Sequence, residues 1–189
     1  MKFLKLTIAS LLTSSALFAG TYNIDVSHSN VGFTVKHMMI TNVSGKFNDV
    51  AGTFEYDEKT NTLTSLSGEI IVASINTANE KRDTHLKADD IFDAEKFPKI
   101  EFKTTKIEDN AVYGDFTMKG VTKNIKLELE NGGVITDPKG NLRAGFELTG
   151  KISRKDFGIT WNKILETGGV TVGDEVKLQI AMEGILAKI

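Results

Sequence analysis

From residue 20 onward, apolar and polar positions alternate in short runs, the signature of half-buried strands. Val31, Phe33, Val35 and His37 fall on one face of such a run, with Gly32, Thr34 and Lys36 on the other. Gly45 and Phe47, then Gly52, Phe54 and Tyr56, continue the pattern, the glycines marking bends or close approaches. After a turn at residues 57–61, residues 66–75 predict a further strand. It is apolar on both sides at Ile70, Ile71 and Val72, as if covered on both faces. Residues 100–107 and 111–118, and the alternating Ile125, Leu127 and Leu129, follow around turns at 108–110 and 119–120. A Gly/Asp/Pro-rich turn spans residues 131–140. Leu142, Ala144, Phe146, Leu148 and Ile152 mark a long strand, and Val176, Leu178, Ile180 and Met182 one face of the last.

Two stretches break this rhythm. In the longer, residues 77–102, Thr77 and Glu80 have capping-box spacing and predict a helix start. Pro98 closes the stretch, because the residue before a proline is pushed towards extended geometry. Asn79, Arg82, Asp83 and His85 lie beside Phe92, Phe97 and Phe102. Connections this long between strands tend to be lids or binding loops, which makes this one the rim and mouth of a pocket. The other, residues 153–173, carries Arg154, Phe157 and the single tryptophan, Trp161. Nothing repeats at a fixed period.

The expected fold is all-β with a helical insert: about eight antiparallel strands, packed as two sheets or closed into a barrel. Phenylalanines next to glycine or alanine on inward faces suit the lining of a space, and an eight-stranded barrel is wide enough for one small or linear ligand. The barrel is therefore preferred to the sandwich.

Composition adds an address. Lys2 and Lys5 precede the apolar residues 6–12, and Leu17-Phe18-Ala19 offers a cleavage site, so residues 1–19 read as a secretory signal peptide and 20–189 as one domain. Without the leader, 21 basic residues face 25 acidic ones, a formal charge near −4. No basic run appears, which argues against nucleic acid and anionic membranes as main partners. No later stretch has the roughly 20 apolar residues of a membrane span. There is no cysteine, so an exported chain of this length must stand on its core alone.

The chemistry-bearing residues each have two readings. His37, on an apolar face, is either a satisfied core histidine or a contact to a ligand head group. His28, His37 and His85 lack zinc-site spacing, and no metal is expected. Arg82 and Asn79, three apart on the predicted helix, either belong to a solvated network or offer Arg82's planar fork to a carbonyl, phosphate or carboxylate. Asp89, Asp90, Asp93 and Glu95 read as a solvated face; paired carboxylates for glycoside hydrolysis have no supporting motif. No nucleophile elbow, phosphate-cradling loop or zinc-protease helix is present.

Taken in order, the motifs resemble those of the YceI-like family. They are residues 25–29 leading into Val31-Gly32-Phe33-Thr34-Val35-Lys36-His37-Met38, then Val43-Ser44-Gly45-Lys46-Phe47 and Thr77-x-Asn79-x-x-Arg82-Asp83-x-His85-Leu86. Phe97-Pro98-x-Ile100-x-Phe102, residues 114–123, Arg154-x-Asp156-Phe157-Gly158-Ile159-x-Trp161 and residues 172–176 complete the set. The resemblance implies an extended, lipocalin-like antiparallel barrel in the periplasm. It also implies binding of polyprenyl chains, isoprenoid quinones or similar amphiphiles in an elongated apolar cavity, with no cofactor beyond that lipid. His37, Asn79, Arg82, Asp83, His85 and Arg154 are the expected head-group contacts. Phe33, Val35, Phe47, Phe54, Phe92, Phe97, Phe102, Phe116, Phe157 and Trp161 are the expected tail lining. A carrier without catalytic residues is the leading reading. An enzyme using His37 or His85 as general base, and a barrel filled by its own side chains, are the alternatives. A mouth rimmed by phenylalanines favours a two-fold dimer.

Overall fold

The computed structural model describes residues 19–164, 166 and 169–188. The expected leader lies outside the described residues except for Ala19, which opens the first strand.

The strands are β1 (Ala19–Ile24), β2 (Asn30–His37), β3 (Thr41–Phe47), β4 (Val50–Asp57), β5 (Thr62–Ile71), β6 (Ile75–Asn76), β7 (Lys99–Glu108), β8 (Ala111–Met118), β9 (Val121–Thr136), β10 (Leu142–Ser153) and β11 (Val172–Leu186). Among the described residues one α-helix, α1 (Glu80–Leu86), sits between β6 and β7. Eight strands close an antiparallel ring in the order β1-β4-β5-β7-β8-β9-β10-β11, with β11 returning to β1. The barrel expected from the alternation is therefore the fold.

β11 is the strand that forks the architecture. Its end pairs with β1, Leu186 opposite Tyr22 and Gly184 opposite Ile24. Its start pairs with β2, Val172 opposite His37 and Leu178 opposite Phe33. From β2 the sheet continues to β3 and β6, so the barrel has a closed half and a half whose wall is completed by β2, β3 and α1.

Aromatic rings fill the closed half. Tyr22 stacks on Phe54 at 5.3 Å, and Phe146 meets Phe54 edge-on at 5.0 Å. Tyr22, Phe54, Tyr56 and Phe146 are all essentially buried. Gly184 makes room for them, since a Cβ there would lie 2.5 Å from the Phe54 ring. The buried phenols are satisfied, Tyr22 Oη donating to Glu58 and Tyr56 Oη to the Asn61 carbonyl. Such ring pairs add roughly 0.5–1.5 kcal/mol each beyond their buried area.

Two local expectations are corrected. Residues 66–75 are not one strand. β5 ends at Ile71 and a 3-10 turn (Val72–Ser74) intervenes before β6. The Ser74 hydroxyl donates to the Ile71 carbonyl at 2.7 Å and accepts from the Asp49 amide at 3.0 Å, which fixes the break. Nor does Thr77 cap the helix. Asn79 does, its side chain accepting from the Arg82 amide at 3.0 Å. Ala78, at a φ of 58°, turns the chain between Thr77 and the cap. The helix ends at Leu86, well before Pro98, and residues 87–98 run in turns.

Outside the barrel, Arg143 ties together Asp25 (2.8 Å), Asp137 (2.9 Å) and Glu183. The Ser27 hydroxyl and then Arg143 hold the Asp25 carboxyl well below the usual range. Arg143 does the same for Asp137.

Candidate functional site

The other half of the barrel holds a cavity of about 570 Å³, within the roughly 300–1,000 Å³ usual for ligand sites. Its walls come from the alternation already described. β2 contributes Val31, Phe33 and Val35, and β11 contributes Val176, Leu178 and Ile180. Ile100, Phe116, Met118 and Ile152 face them, and Leu86, Ile91 and Phe92 close the side covered by α1 and its turns. Below lies a smaller chamber of about 50 Å³ that shares Val31, Ile70, Ile100, Phe116, Leu178 and Ile180 with the first. The aromatic packing around Phe54 stands beneath both. The interior is a blind pocket, reaching the surface between the exposed Lys36, Asn79, Lys81 and His85.

The structure sorts the expected tail-lining residues into two groups. Phe33, Val35, Phe47, Phe92, Phe116 and Trp161 line the cavity. Phe102 reaches only the lower chamber. Three expected lining residues are placed elsewhere. Phe54, on β4, belongs to the closed half. Phe97 covers Gly120, where a Cβ would approach its ring to 2.7 Å, and carries the Lys96 ammonium 5.2 Å from its centroid. Phe157, in the 3-10 turn Arg154–Phe157, packs behind Phe116 at 5.4 Å and supports the wall without forming it. Ile91, Met118, Ile152 and Ile159 also form the wall, and in the sequence nothing distinguishes such side chains from ordinary core.

The expected head-group residues divide in the same way. His37 lines the cavity, and its imidazole has no hydrogen-bond partner among the described residues. Arg82 also lines it. Its Nε donates to the Thr77 hydroxyl (2.7 Å) and its Nη2 to the Thr77 carbonyl (2.8 Å), which leaves Nη1 without a protein partner among the described residues. Asn79 is at the mouth, its carbonyl oxygen used in capping. His85 contacts Asp90 at 3.0 Å and sets its ring edge against Trp161 at 4.9 Å.

Asp83 is not at the cavity surface. It accepts from the Thr77 amide and hydroxyl, so Thr77 joins Asp83 to Arg82 and fastens α1 to the chain before it. Arg154 touches the cavity, but its guanidinium is committed elsewhere. It donates to the carbonyls of Gly173 (2.9 Å), Ile159 (2.8 Å), Trp161 (2.8 Å) and Val172 (3.4 Å) and to Asp174 (3.2 Å). It is 5 % exposed and holds the segment that carries Trp161.

No carboxylate is among the lining residues. The two lining hydroxyls are both engaged, Thr77 with Asp83 and Arg82, and Thr171 with the Lys163 carbonyl. The three histidines do not converge. His28 lies on the outer wall with Asp25 and Glu183, ligand atoms within 4.8 Å of one another, where Arg143 already neutralises the acids. Ser27 and His28 both direct their polar atoms at Asp25 there, with the Ser27 hydroxyl donating to the carboxylate. This is a local turn, not a relay from acid through imidazole to nucleophile.

With this geometry in place, the chain can be set beside known proteins. The YceI-like domain matches residues 22–184. The UPF0312 protein SA2479 of Staphylococcus aureus (strain N315) is 39 % identical over 163 residues, covering 86 % of this chain and 95 % of that protein. The crystal structure of the Campylobacter jejuni YCEI protein is similar at 34 % identity and a TM-score of 0.71, over 81 % of this chain and 90 % of that one. A polyisoprenoid binding domain from Saccharophagus degradans shares the fold, with a TM-score of 0.67 at 13 % identity, over 88 % of this chain and 98 % of that domain. The blind β-barrel described above is thus one instance of a recurring design, and the chain belongs to the YceI-like family.

Proposed function

We propose that this protein is a periplasmic carrier that holds one long apolar molecule with a small polar head and does not convert it. The observation that carries this reading is the distribution of polarity: an apolar blind cavity of about 570 Å³ whose uncommitted polar groups, among them His37, Arg82 Nη1, Lys36 and Lys81, stand near its mouth. An isoprenoid, either a polyprenyl chain or an isoprenoid quinone, fits this division, and the S. degradans domain of the same fold is described as binding polyisoprenoid. Affinity comes from burying the tail, at about 0.8 kcal/mol per CH₂ or roughly 3–4 kcal/mol gross per prenyl unit. Chain ordering and the ligand's own aggregation in water take back part of it. Arg82 and His37 orient the head. The engaged hydroxyls of Thr77 and Thr171 leave no activated nucleophile beside His37, which is why a carrier is preferred to an enzyme.

The test is native mass spectrometry and organic extraction of protein purified from its own host. The expected result is a single lipid class recovered unmodified after prolonged incubation. Protein that yields no lipid, and takes up no prenyl-chain probe when offered one, refutes the reading. A chemically altered ligand makes it an enzyme.

A further inference from the structure

Six large apolar side chains are exposed among the described residues, and four of them, Met38, Met39, Ile40 and Ile164, stand on two loops adjoining cavity-lining residues His37 and Thr171. Ile40 is 82 % and Ile164 87 % exposed. Ile40 and Ile164 forgo most of the roughly 1.5–3 kcal/mol that full burial gives, and exposed apolar groups that cluster mark a surface that meets something.

The backbone holds them outward. Met38 and Met39 occupy the left-handed region, at φ 48° and 63°, in the turn between β2 and β3. The Ile40 amide donates to the His37 carbonyl at 3.1 Å. The second loop is tied to the first, the Met38 amide donating to the Thr171 carbonyl at 2.8 Å and the Thr171 amide to the Lys163 carbonyl at 3.0 Å. Ile164 is bridged to Val170. His37, Thr171 and Val172 on this same backbone line the cavity, so the apolar tip and the opening are continuous. Exposed lysines, Lys36 and Lys163, flank the two tips, and Glu166 is the one acid described in these two loops. The sequence has no basic run that would make an anionic surface a standing partner, but at these two tips the local balance is cationic, two exposed lysines against one described acid.

We propose that Met38, Met39, Ile40 and Ile164, with Lys36 and Lys163 beside them, dock the protein on an anionic phospholipid bilayer, so that the cavity mouth opens against the membrane when cargo enters or leaves. This rests on the carrier reading, and it answers a problem that reading creates. A long apolar tail released into water loses about 0.8 kcal/mol for every CH₂, and a mouth pressed into the interface removes that barrier. Met38, Met39, Ile40 and Ile164 enter the headgroup region as interfacial side chains do. Lys36 and Lys163 add roughly 1 kcal/mol each near an anionic surface.

Two measurements test it. In the first, the protein is floated with vesicles of one part phosphatidylglycerol to three of phosphatidylethanolamine, and with pure phosphatidylcholine. Binding to the anionic vesicles is expected, falling roughly tenfold or more in an Ile40→Asp/Ile164→Asp double variant. An Ile40→Ser/Ile164→Ser pair serves as a gentler companion should the aspartates disturb the loops. In the second, a fluorescent prenyl-chain probe is followed from donor to acceptor vesicles. A rate that rises with acceptor concentration in the native protein, and loses that dependence in the variants, supports docking. Equal flotation of native and variant protein overturns the proposal, as does a transfer rate indifferent to acceptor concentration. So does light scattering that shows a dimer dissociated by the same substitutions without vesicle binding, which would make the tip a contact between copies of this chain. If the protein takes up no probe, the carrier reading fails, while flotation still decides docking.

Discussion

Arg154 offers the sharpest quantitative test, because the sequence suggests a head-group cation and the structure a buried clamp. Replacing it with methionine keeps most of the stem and removes every donor. Three bonds shorter than 3 Å, to Gly173, Ile159 and Trp161, are lost outright. Bonds from a charged donor contribute about 1.5–3 kcal/mol each, and the orphaned acceptors add a desolvation penalty. Water reaches some of them, since Asp174 and Trp161 are only partly buried. The expected net loss is roughly 3–5 kcal/mol, the range seen when one partner of a buried charged network is removed. For a domain of this size that corresponds to a Tm lowered by roughly 6–20 °C. Arg154→Lys should fall between, because one ammonium cannot reach acceptors arranged around a planar fork. Thermal unfolding followed by circular dichroism reads the stability, and native mass spectrometry reads the lipid. Because the Trp161 carbonyl is one of the acceptors, retention should fall for all head groups alike. A Tm within about 2 °C of the native value, together with altered preference among head groups, would refute the clamp and restore the head-group role.

Other substitutions separate the remaining parts of the site. Arg82→Ala should weaken discrimination among head groups on a common tail more than it weakens tail retention; unchanged preference in competitive native mass spectrometry would end that assignment. Leu178→Trp places an indole in the cavity near the junction of its two chambers, so recovered lipid should drop several-fold with Tm preserved, and an undiminished lipid content would contradict the tail's position. Gly114→Ala should cost roughly 1–3 kcal/mol by overpacking, because its Cβ would stand 2.2 Å from the Phe102 ring and 2.8 Å from the Lys103 carbonyl; a native urea midpoint would show that strand β8 has slack there. Asp25 and Asp137 have lowered folded values, so their stabilisation is present above the ordinary 3.8 and is lost as pH falls through those lowered values. Arg143→Gln should therefore be less stable than the native protein near neutrality and converge with it in acid, whereas parallel urea stabilities across that range would disprove the linkage.

The strands were legible because each is half-buried, and Val176, Leu178 and Ile180 announce an inward face with no outside help. What the alternation does not carry is height along the barrel. Phe33 and Phe54 look alike in sequence, each within an alternating run. Yet one faces the cavity and the other is buried among aromatic rings, because β11 divides its pairing between β2 and β1. Arg154 was misread for a related reason. Its acceptors at Ile159, Trp161, Val172 and Gly173 are carbonyls, and a carbonyl's direction leaves no trace in residue identity. The helix start turned on a single backbone angle: Thr77 and Asn79 are both good caps, and the positive φ of Ala78 decided between them. The exposure of Met38, Met39 and Ile40 leaves no trace in the sequence, because three apolar residues directly after an alternating strand look like its continuation.

The cavity and the aromatic packing are two solutions to one energetic problem. A dry void of about 570 Å³ would cost on the order of 14 kcal/mol at about 24 cal/mol per Å³, comparable with the whole stability of a typical domain. This chain has no cysteine with which to offset such a loss. In the closed half, Tyr22, Phe54, Tyr56 and Phe146 remove the void by filling it. In the open half, water can enter but finds few partners, since Thr77 and Arg154 spend their polar atoms on the protein itself. An apolar chain lying against Phe33, Leu178 and Phe116 supplies the contacts that water cannot. Ligand then acts as the missing half of the hydrophobic core, and it should raise stability by about 2.7 kcal/mol at a hundredfold excess over Kd. The cavity on which the proposed carrier role rests is thus the same feature through which a bound lipid would stabilise the fold.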